Sequence, residues 1–166
     1  MSPAPNLFAD PTPLIGTTTT TAWLTIDQEH LSEFGHSTYL DPAYVDLTPS
    51  RNHAMGPTLV DGFMLLSLLV YFDFSSPAVS TPGGYGFNYG LDRVRFTAPV
   101  FVGERVRVRR TVVAAEPKSP TRMRLTNDVT MEVDREDPET VMVARWITMA
   151  VDGASEEAAT GSGTPS

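Results

Sequence analysis

The stretch DGFMLLSLLVYFDF, residues 61–74, decides the fold of this chain of 166 residues. Placed on a helix, its apolar residues fall on nearly every face, which predicts a helix that is buried nearly all round. Asp61 is the expected N-cap, so the helix should begin at Gly62. The run is too short to span a bilayer, and we therefore assign it to the core of a globular domain.

Downstream of this helix, beyond STPGGYG (80–86), the apolar residues recur with period two. Alternation of this kind is typical of β-strands, and turns rich in proline and charge separate the segments. The predicted strands are 89–96, 105–113, 123–133 and 141–151. One buried helix followed by long antiparallel strands predicts the α+β class, with a curled antiparallel β-sheet wrapped around a long buried central helix.

Four shorter segments precede the central helix. TAWLTI (21–26) is predicted as a strand, and DQEHLSEFG (27–35) as a short helix that is capped by its aspartate and stopped by its glycine. DPAYVDL (41–47) is predicted to form one or two helical turns, because Asp-Pro is a favourable helix start. RNHAMGPTLVDG (51–62) is predicted as a loop that runs into the central helix.

The predicted domain organisation is simple. Residues 1–20 are rich in proline and threonine and show no periodicity, so we expect a flexible N-terminal arm. Residues 21–152 form a single domain without an internal repeat or linker. Residues 153–166, GASEEAATGSGTPS, are small and polar, and we expect a disordered C-terminal tail.

Charge and cysteine content exclude several function classes. Twelve basic residues stand against 20 acidic ones, a net charge of −8, which argues against nucleic acid as a partner. Cysteine is absent, which excludes disulfides and a thiolate nucleophile and fits a reducing compartment. No signal peptide is recognisable at the N-terminus, so we expect a cytoplasmic protein that does not bind membranes.

Histidine and arginine raise the question of ligands. His30, His36 and His53 form no close pair in the sequence, so we expect no metal site and no cofactor. Half of the basic residues are arginines within 93–110. They are either solvent-facing strand positions or a cationic patch for an anionic tail such as a pyrophosphate.

Two blocks carry a resemblance to a known family. GPTLVDGFMLLSLL (56–69) and NYGLDRVRFTAPVFVGERVRV (88–108) resemble the MaoC-like hotdog-fold hydratases and dehydratases, in the branch of nodulation protein N-like proteins. The resemblance covers roughly residues 23–150. It implies a hotdog fold and a homodimer in which two sheets meet edge to edge.

The resemblance also implies a reaction. Members of the family act on acyl thioesters carried on coenzyme A or an acyl carrier protein. They add water to a trans-2-enoyl thioester, or remove it from the 3-hydroxyacyl thioester. A backbone N–H at the start of the central helix, here that of Gly62, would hold the thioester oxygen as negative charge builds on it.

The usual Asp/His catalytic pair of the family is not retained. The family's loop reads Gly-Asp-x-Asn-Pro-Leu/Ile-His-x-Asp-Pro, and LDPAY (40–44) matches its x-Asp-Pro part, which puts Tyr39 in the place of the histidine. GHSTY (35–39) is about two residues shorter than the family's stretch. By position, the candidate catalytic residues are His36 as a base, Tyr39 as a hydrogen-bond or proton donor, and Asp61.

Each candidate residue has a structural alternative. His36 and Tyr39 could serve as a capping and a packing residue, and Asp61 is most simply a helix cap. The candidate substrate-binding residues are Gly62, Asp41, His53, Asn88 and Tyr89. Of these, Asp41 is also a natural N-cap before a proline, and His53 could be an exposed loop residue.

Three functions remain open from the sequence. The first is a lyase that hydrates or dehydrates an acyl-thioester or polyketide-like intermediate with a remodelled acid–base site. The second is a cyclase or isomerase of a natural-product pathway, in which shape and hydrogen-bond donors orient a reactive intermediate. The third is a non-catalytic partner subunit of an active hydratase. The fold alone does not distinguish among these three functions.

Overall fold

The computed structural model describes residues 7–80 and 83–161, without the side chains of residues 51, 52 and 159–161. Within these ranges one antiparallel sheet of six strands is formed. Its strands are β1 (Thr18–Thr20), β2 (Leu24–Thr25), β3 (Tyr85–Phe96), β4 (Arg105–Ser119), β5 (Arg122–Val133) and β6 (Glu139–Val151). The order across the sheet is β1-β4-β5-β6-β3, and β2 also pairs with β4.

The helices are α1 (Gln28–Ser37), α2 (Arg51–Met55), α3 (Gly62–Ser75) and α4 (Gly153–Gly161), with a short 3-10 helix at Thr12–Leu14. The sheet and the central helix α3 confirm the predicted α+β architecture. α3 begins at Gly62 as predicted, because the Asp61 side chain accepts a hydrogen bond from the Phe63 N–H at 2.7 Å. No helix within the described ranges is long and apolar enough to cross a bilayer.

One face of α3 forms the core with the concave side of the sheet. Its buried residues are Met64, Leu65, Leu69 and Phe72, which pack with sheet residues such as Val106, Val129, Met131 and Trp146. The prediction that nearly every face of α3 is buried is wrong for the single chain. Phe63 and Phe74 are 69% and 81% exposed, because no described element covers their side of the helix.

The exposed side of α3 continues onto β3, an edge strand of the sheet. We call this surface the α3–β3 face. It consists of Phe63, Val70, Tyr71, Phe74, Tyr85, Phe87, Tyr89, Leu91 and Phe96, all of them exposed. Exposed apolar patches of this extent are unusual on a monomeric protein and mark sites of interaction.

The segment before α3 departs from prediction in four places. The strand expected at 21–26 is reduced to β2 at Leu24–Thr25, and a separate strand, β1, precedes that range. α1 runs through Gly35 to Ser37 and ends where Tyr39 adopts the left-handed conformation (φ 62°), so Gly35 is not its stop. Residues 41–47 form turns without a helix, and the predicted loop contains α2.

Both ends of the chain contain packed or helical segments within the described residues. Phe8 and Leu14 are buried in a second apolar cluster with Val112 and Met123, so residues 7–20 pack on the sheet in place of a flexible arm. Residues 153–161 form α4 in place of a disordered tail, and Glu156 binds the Arg122 guanidinium there. The remainder of the predicted arm and tail, residues 1–6 and 162–166, lies outside the described residues.

Candidate functional site

The N-terminus of α3 presents an unpaired backbone donor. A Cβ atom at Gly62 would lie 3.1 Å from the Phe96 ring, so a side chain at this position would require a small shift of the ring. Asp61 caps the N–H of Phe63, and among the described residues no hydrogen bond uses the N–H of Gly62. This N–H therefore remains available at the positive end of the helix dipole.

The segment that leads into α3 is fixed by backbone pairing with residues 99–104. The Val60 N–H donates to the Val100 carbonyl and the Val102 N–H to the Thr58 carbonyl, both at 2.8 Å. Arg135 holds this turn from the other side through Glu104, at 2.8 Å. The start of α3 is thus attached to the sheet, which gives the Gly62 N–H a defined direction.

Glu104 is an ionised member of this support. Burial raises its pKa, but the hydrogen bonds from the Arg135 guanidinium and the Phe101 N–H outweigh burial, and the pKa lies below its usual 4.5. The Arg135 pKa is raised in turn, chiefly by its hydrogen bond to Glu104.

His36, in the last turn of α1, lies near Asp41 in the loop that follows the helix. Their closest atoms, Nδ1 and Oδ2, are 3.8 Å apart, and the His36 side chain is 72% exposed. The distance is too long for a hydrogen bond but allows an ion pair when the imidazole is protonated. Asp41 also accepts a hydrogen bond from the Ala43 N–H at 2.8 Å, which forms a local turn of the loop.

Tyr39 packs against another tyrosine of the same loop. The rings of Tyr39 and Tyr44 meet edge to face with 5.2 Å between their centroids. Both side chains are largely exposed. Sequence reasoning did not select Tyr44.

His53 is exposed and Asp61 caps a helix, as in the structural alternatives given for them. His53 lies exposed on α2, where its N–H donates to Ser50 Oγ at 3.1 Å. His53 and residues 42–48, among them Tyr44, line an open cleft. Asp61 is the N-cap of α3 through one carboxylate oxygen, and no hydrogen bond within the described residues uses the other.

A groove runs along α3 towards the other end of the helix. It has a volume of about 290 Å³ and is lined chiefly by apolar residues between α3 and β3, namely Phe63, Leu66, Leu69, Val70, Leu91 and Trp146. Asn88 lines it too, and its Oδ1 accepts a hydrogen bond from Trp146 Nε1 at 3.0 Å. Tyr89, the next residue of the strand, falls at a β-bulge and does not line the groove.

The groove opens into a second cleft, of about 270 Å³, at the C-terminal end of α3. Val70, Asn88 and Trp146 line both spaces. The second cleft also contains buried polar side chains, those of Arg110 and Asn127. Sequence reasoning missed both, although each falls at a position where the alternation of its strand requires an inward-facing apolar residue.

The ion pairs of the β4 arginines bear on the cationic patch considered from the sequence. Arg105 pairs with Asp134, Arg107 with Glu132 and Arg110 with Asp73. The Arg107 guanidinium also lies over the Trp23 ring at 4.4 Å from its centroid. The charges of these three arginines are therefore balanced within the protein, whereas Arg109 shares Glu132 with Arg107 at 3.9 Å.

A curled antiparallel sheet around one central helix, with a groove along that helix, defines a hotdog-fold protein. The chain belongs to the MaoC-like domain family, whose model matches residues 11–133. Members of this family of hydratases and dehydratases are lyases, and relatives of this chain include an acyl-thioester dehydratase.

Two relatives and one solved structure describe the similarity. Nodulation protein N of Rhizobium leguminosarum bv. viciae is 35% identical over 130 residues, which cover 76% of this chain and 80% of the relative. 3-Hydroxyacyl-thioester dehydratase Z of Mycobacterium tuberculosis is 36% identical over 114 residues, covering 68% and 74%. The MaoC-like dehydratase structure from Rhodospirillum rubrum superposes with a TM-score of 0.64 at 16% identity, covering 82% and 92%, which shows the shared fold.

Proposed function

We propose that this chain is a lyase that hydrates or dehydrates an acyl thioester, with a polyketide-like acyl group, through a remodelled acid–base site. The observation that carries the proposal is the unpaired Gly62 N–H at the mouth of the groove along α3. The carrier would be coenzyme A or an acyl carrier protein. Family membership supports the reaction class, and the groove supports an extended acyl chain as the ligand.

The thioester carbonyl oxygen would accept a hydrogen bond from the Gly62 N–H. Removal of the proton at the carbon next to the carbonyl places negative charge on this oxygen. A fixed donor at the N-terminus of α3 stabilises that charge more than it stabilises the neutral ground state, and so lowers the barrier. Phe96, in contact with Gly62, limits the approach of water from one side.

The acid–base steps fall to His36 and its neighbours. In the dehydration direction, the neutral His36 imidazole accepts the proton from the carbon next to the carbonyl. The resulting imidazolium protonates the departing hydroxyl group, which leaves as water. Asp41 orients the imidazolium and stabilises its positive charge. Tyr39 donates a hydrogen bond to the hydroxyl group. The second carboxylate oxygen of Asp61 can accept a hydrogen bond from the substrate.

The exposed aromatic surface supports a homodimer. The outer edge of β3 has no strand partner within the described residues, and the α3–β3 face lies beside it. A second copy of the chain would pair with this edge and cover the open side of the groove.

One observation favours a second candidate function, the cyclase or isomerase. The His36 imidazole is mostly exposed and is 3.8 Å from its carboxylate, which is a loose arrangement for a strong base. Hydrogen-bond donors and shape alone could orient a reactive intermediate in the groove. Binding of a thioester without any interconversion of its enoyl and 3-hydroxyacyl forms would favour this candidate over the lyase.

Two substitutions at one position test the proposal. Gly62→Ala and Gly62→Pro both place a Cβ against Phe96, but only proline removes the N–H. Proline suits the first helical position, and Asp61, with φ −63° and ψ 135°, has the backbone that a residue before proline prefers. We expect the proline variant to interconvert enoyl and 3-hydroxyacyl thioesters about 100-fold more slowly than the alanine variant.

The measurement is the change in conjugated enoyl absorbance with time, alongside the melting temperature of each variant. Equal turnover of the alanine and proline variants at equal stability would contradict a role for the Gly62 N–H.

A further inference from the structure

We infer that the cleft at the C-terminal end of α3 receives the far end of the acyl chain and selects chains with a hydrogen-bond donor there, such as a hydroxyl group. This inference rests on the proposed function, because it takes the thioester to lie at Gly62. It names the substrate class more narrowly, as hydroxylated acyl chains in preference to plain alkyl chains.

The first step is the path from the thioester to the cleft. The groove begins at Phe63, next to Gly62, and shares three lining residues with the cleft. Asp73, at the far end, is eleven residues beyond Gly62 on α3, which corresponds to roughly 16 Å along the helix axis at ~1.5 Å per residue. A long acyl chain in extended conformation therefore reaches the cleft.

The second step is an unpaired acceptor in the wall of the cleft. Asn127 is 1% exposed, and its Nδ2 donates to the Trp146 carbonyl at 3.3 Å. Its Oδ1 is buried and has no hydrogen-bond partner within the described residues. Most buried side-chain polar atoms in folded proteins have a partner, so an orphaned acceptor beside a cleft indicates a missing donor.

The third step excludes a charged ligand. The Arg110 guanidinium is neutralised by the Asp73 carboxylate and donates to the Ser76 carbonyl at 2.6 Å. The Trp146 Nε1–H donates a hydrogen bond to Asn88 Oδ1. The guanidinium and the indole N–H thus both have partners, and Asn127 Oδ1 still lacks a hydrogen-bond donor. A neutral hydroxyl group supplies that donor without bringing a charge into the cleft.

Selectivity between acyl chains follows from whether the chain supplies a hydrogen-bond donor to Asn127 Oδ1. With an alkyl terminus in the cleft, Asn127 Oδ1 would stay without a donor, whereas a hydroxyl terminus would satisfy it. A site built around a buried polar atom discriminates strongly against the analogue that lacks the partner. We expect a preference of about tenfold or more for the hydroxylated chain.

The experiment measures binding, so that no turnover is needed. Saturated S-acyl pantetheine thioesters, from decanoyl to hexadecanoyl, are compared in pairs that differ only in a terminal methyl or a terminal hydroxyl group. Dissociation constants are determined by calorimetry for the wild type, for Asn127→Leu and for Thr126→Val. Leucine resembles asparagine in shape, and Thr126 is the adjacent β5 position on the opposite face, which makes it the matched control.

We expect the wild type and Thr126→Val to bind the hydroxylated chain at least tenfold more tightly at one chain length, and Asn127→Leu to lose or reverse this preference. If Asn127→Leu does not fold, Asn127→Val, which suits a strand, serves the same purpose. Equal or tighter binding of the alkyl chain at every length would overturn the inference and leave the proposed function intact.

Two further results would also be decisive. A preference for the hydroxyl group that survives in Asn127→Leu would overturn the assignment of Asn127. Failure of every thioester to bind the wild type would overturn the proposed function together with this inference.

Discussion

The Arg110 guanidinium on β4 forms an ion pair with the Asp73 carboxylate near the C-terminal end of α3, in a position where the arginine side chain is only 6% exposed. The same guanidinium donates to the Ser76 carbonyl just beyond the helix. This arrangement attaches the last turn of the central helix to the sheet and forms one wall of the second cleft.

Removal of Asp73 should therefore destabilise the fold. In Asp73→Ala the buried guanidinium loses its counter-charge, and we expect the free energy of unfolding to fall by about 2–3 kcal/mol, less than for a fully buried pair because Asp73 is partly exposed. Asp128→Ala is the control, since its partner Arg145 lies at the surface and such pairs contribute ~0–1 kcal/mol. Urea denaturation of both variants measures the difference, and equal losses would contradict it.

The acid limit of stability should depend on Glu104. Its pKa in the folded protein lies below 4.5, so the folded state keeps this carboxylate charged at pH values where the unfolded chain takes up a proton. The stabilisation is complete above pH 4.5 and is lost as the pH falls from there through the lowered pKa. Glu104→Gln should flatten the pH dependence of the unfolding free energy in this window, as measured by denaturation at several pH values.

Glu136→Gln is the matched control for that experiment, because Glu136 is exposed in the turn after Arg135. An unchanged acid limb in Glu104→Gln would show that Arg135 does not hold the carboxylate in its charged form.

The central helix and the four long strands were predictable because their signals are local. Asp61 sets the start of α3 through one hydrogen bond, and the period-two pattern of 123–133 follows directly from a strand with one buried face. The exposure of Phe63 and Phe74 was not predictable, because composition shows that a helix is apolar but not which of its sides another element covers.

For the candidate site, the sequence selects residues but does not predict their contacts. Gly62 and Asp41 could be selected by position, whereas the pairing of Asp41 with His36 depends on how the loop turns after Tyr39, a residue in an unfavourable backbone conformation for tyrosine. Arg110 and Asn127 interrupt the apolar phase of their strands. Such interruptions are the sequence signal for polar side chains that point into a core or a cleft.

Dimer formation should depend on the α3–β3 face. Phe74→Lys should shift the protein towards a monomer, because it places a charge in the proposed interface, and should leave the fold of the single chain intact because Phe74 is so exposed. Ile15→Lys, at another exposed apolar residue outside that face, is the control. Sedimentation velocity at micromolar concentration distinguishes the two, and a wild type that sediments at about 18 kDa would contradict the dimer.

Short enoyl thioesters should be poor substrates. The sequence predicts that the family's Asp/His pair is not retained in the loop, and the loss of one positioned acid or base typically lowers the rate by about 10²–10⁴-fold. We expect slow or undetectable hydration of crotonyl-CoA, measured by enoyl absorbance beside an intact family member. A comparable rate for both proteins would show that the loop has been aligned incorrectly.

The last prediction concerns His36 and Tyr39. If the end of α1 and the loop after it are catalytic, His36→Ala and Tyr39→Phe should each lower turnover of the best-bound thioester at least tenfold, which corresponds to about 1.4 kcal/mol of activation free energy. The melting temperature should change little, because both side chains are largely exposed. If the loop is only structural, stability should fall while turnover per folded molecule stays constant.

His30 provides an internal control on the same helix. It also pairs with an aspartate, Asp27, through atoms 2.8 Å apart, and is as exposed as His36, but lies at the opposite end of α1. His30→Ala should therefore leave turnover unchanged, which separates catalysis from the general effect of removing an exposed His–Asp pair. Full activity in the His36→Ala, Tyr39→Phe double variant would contradict the catalytic loop and leave Asp61, at the start of α3, as the remaining candidate for the acid–base step.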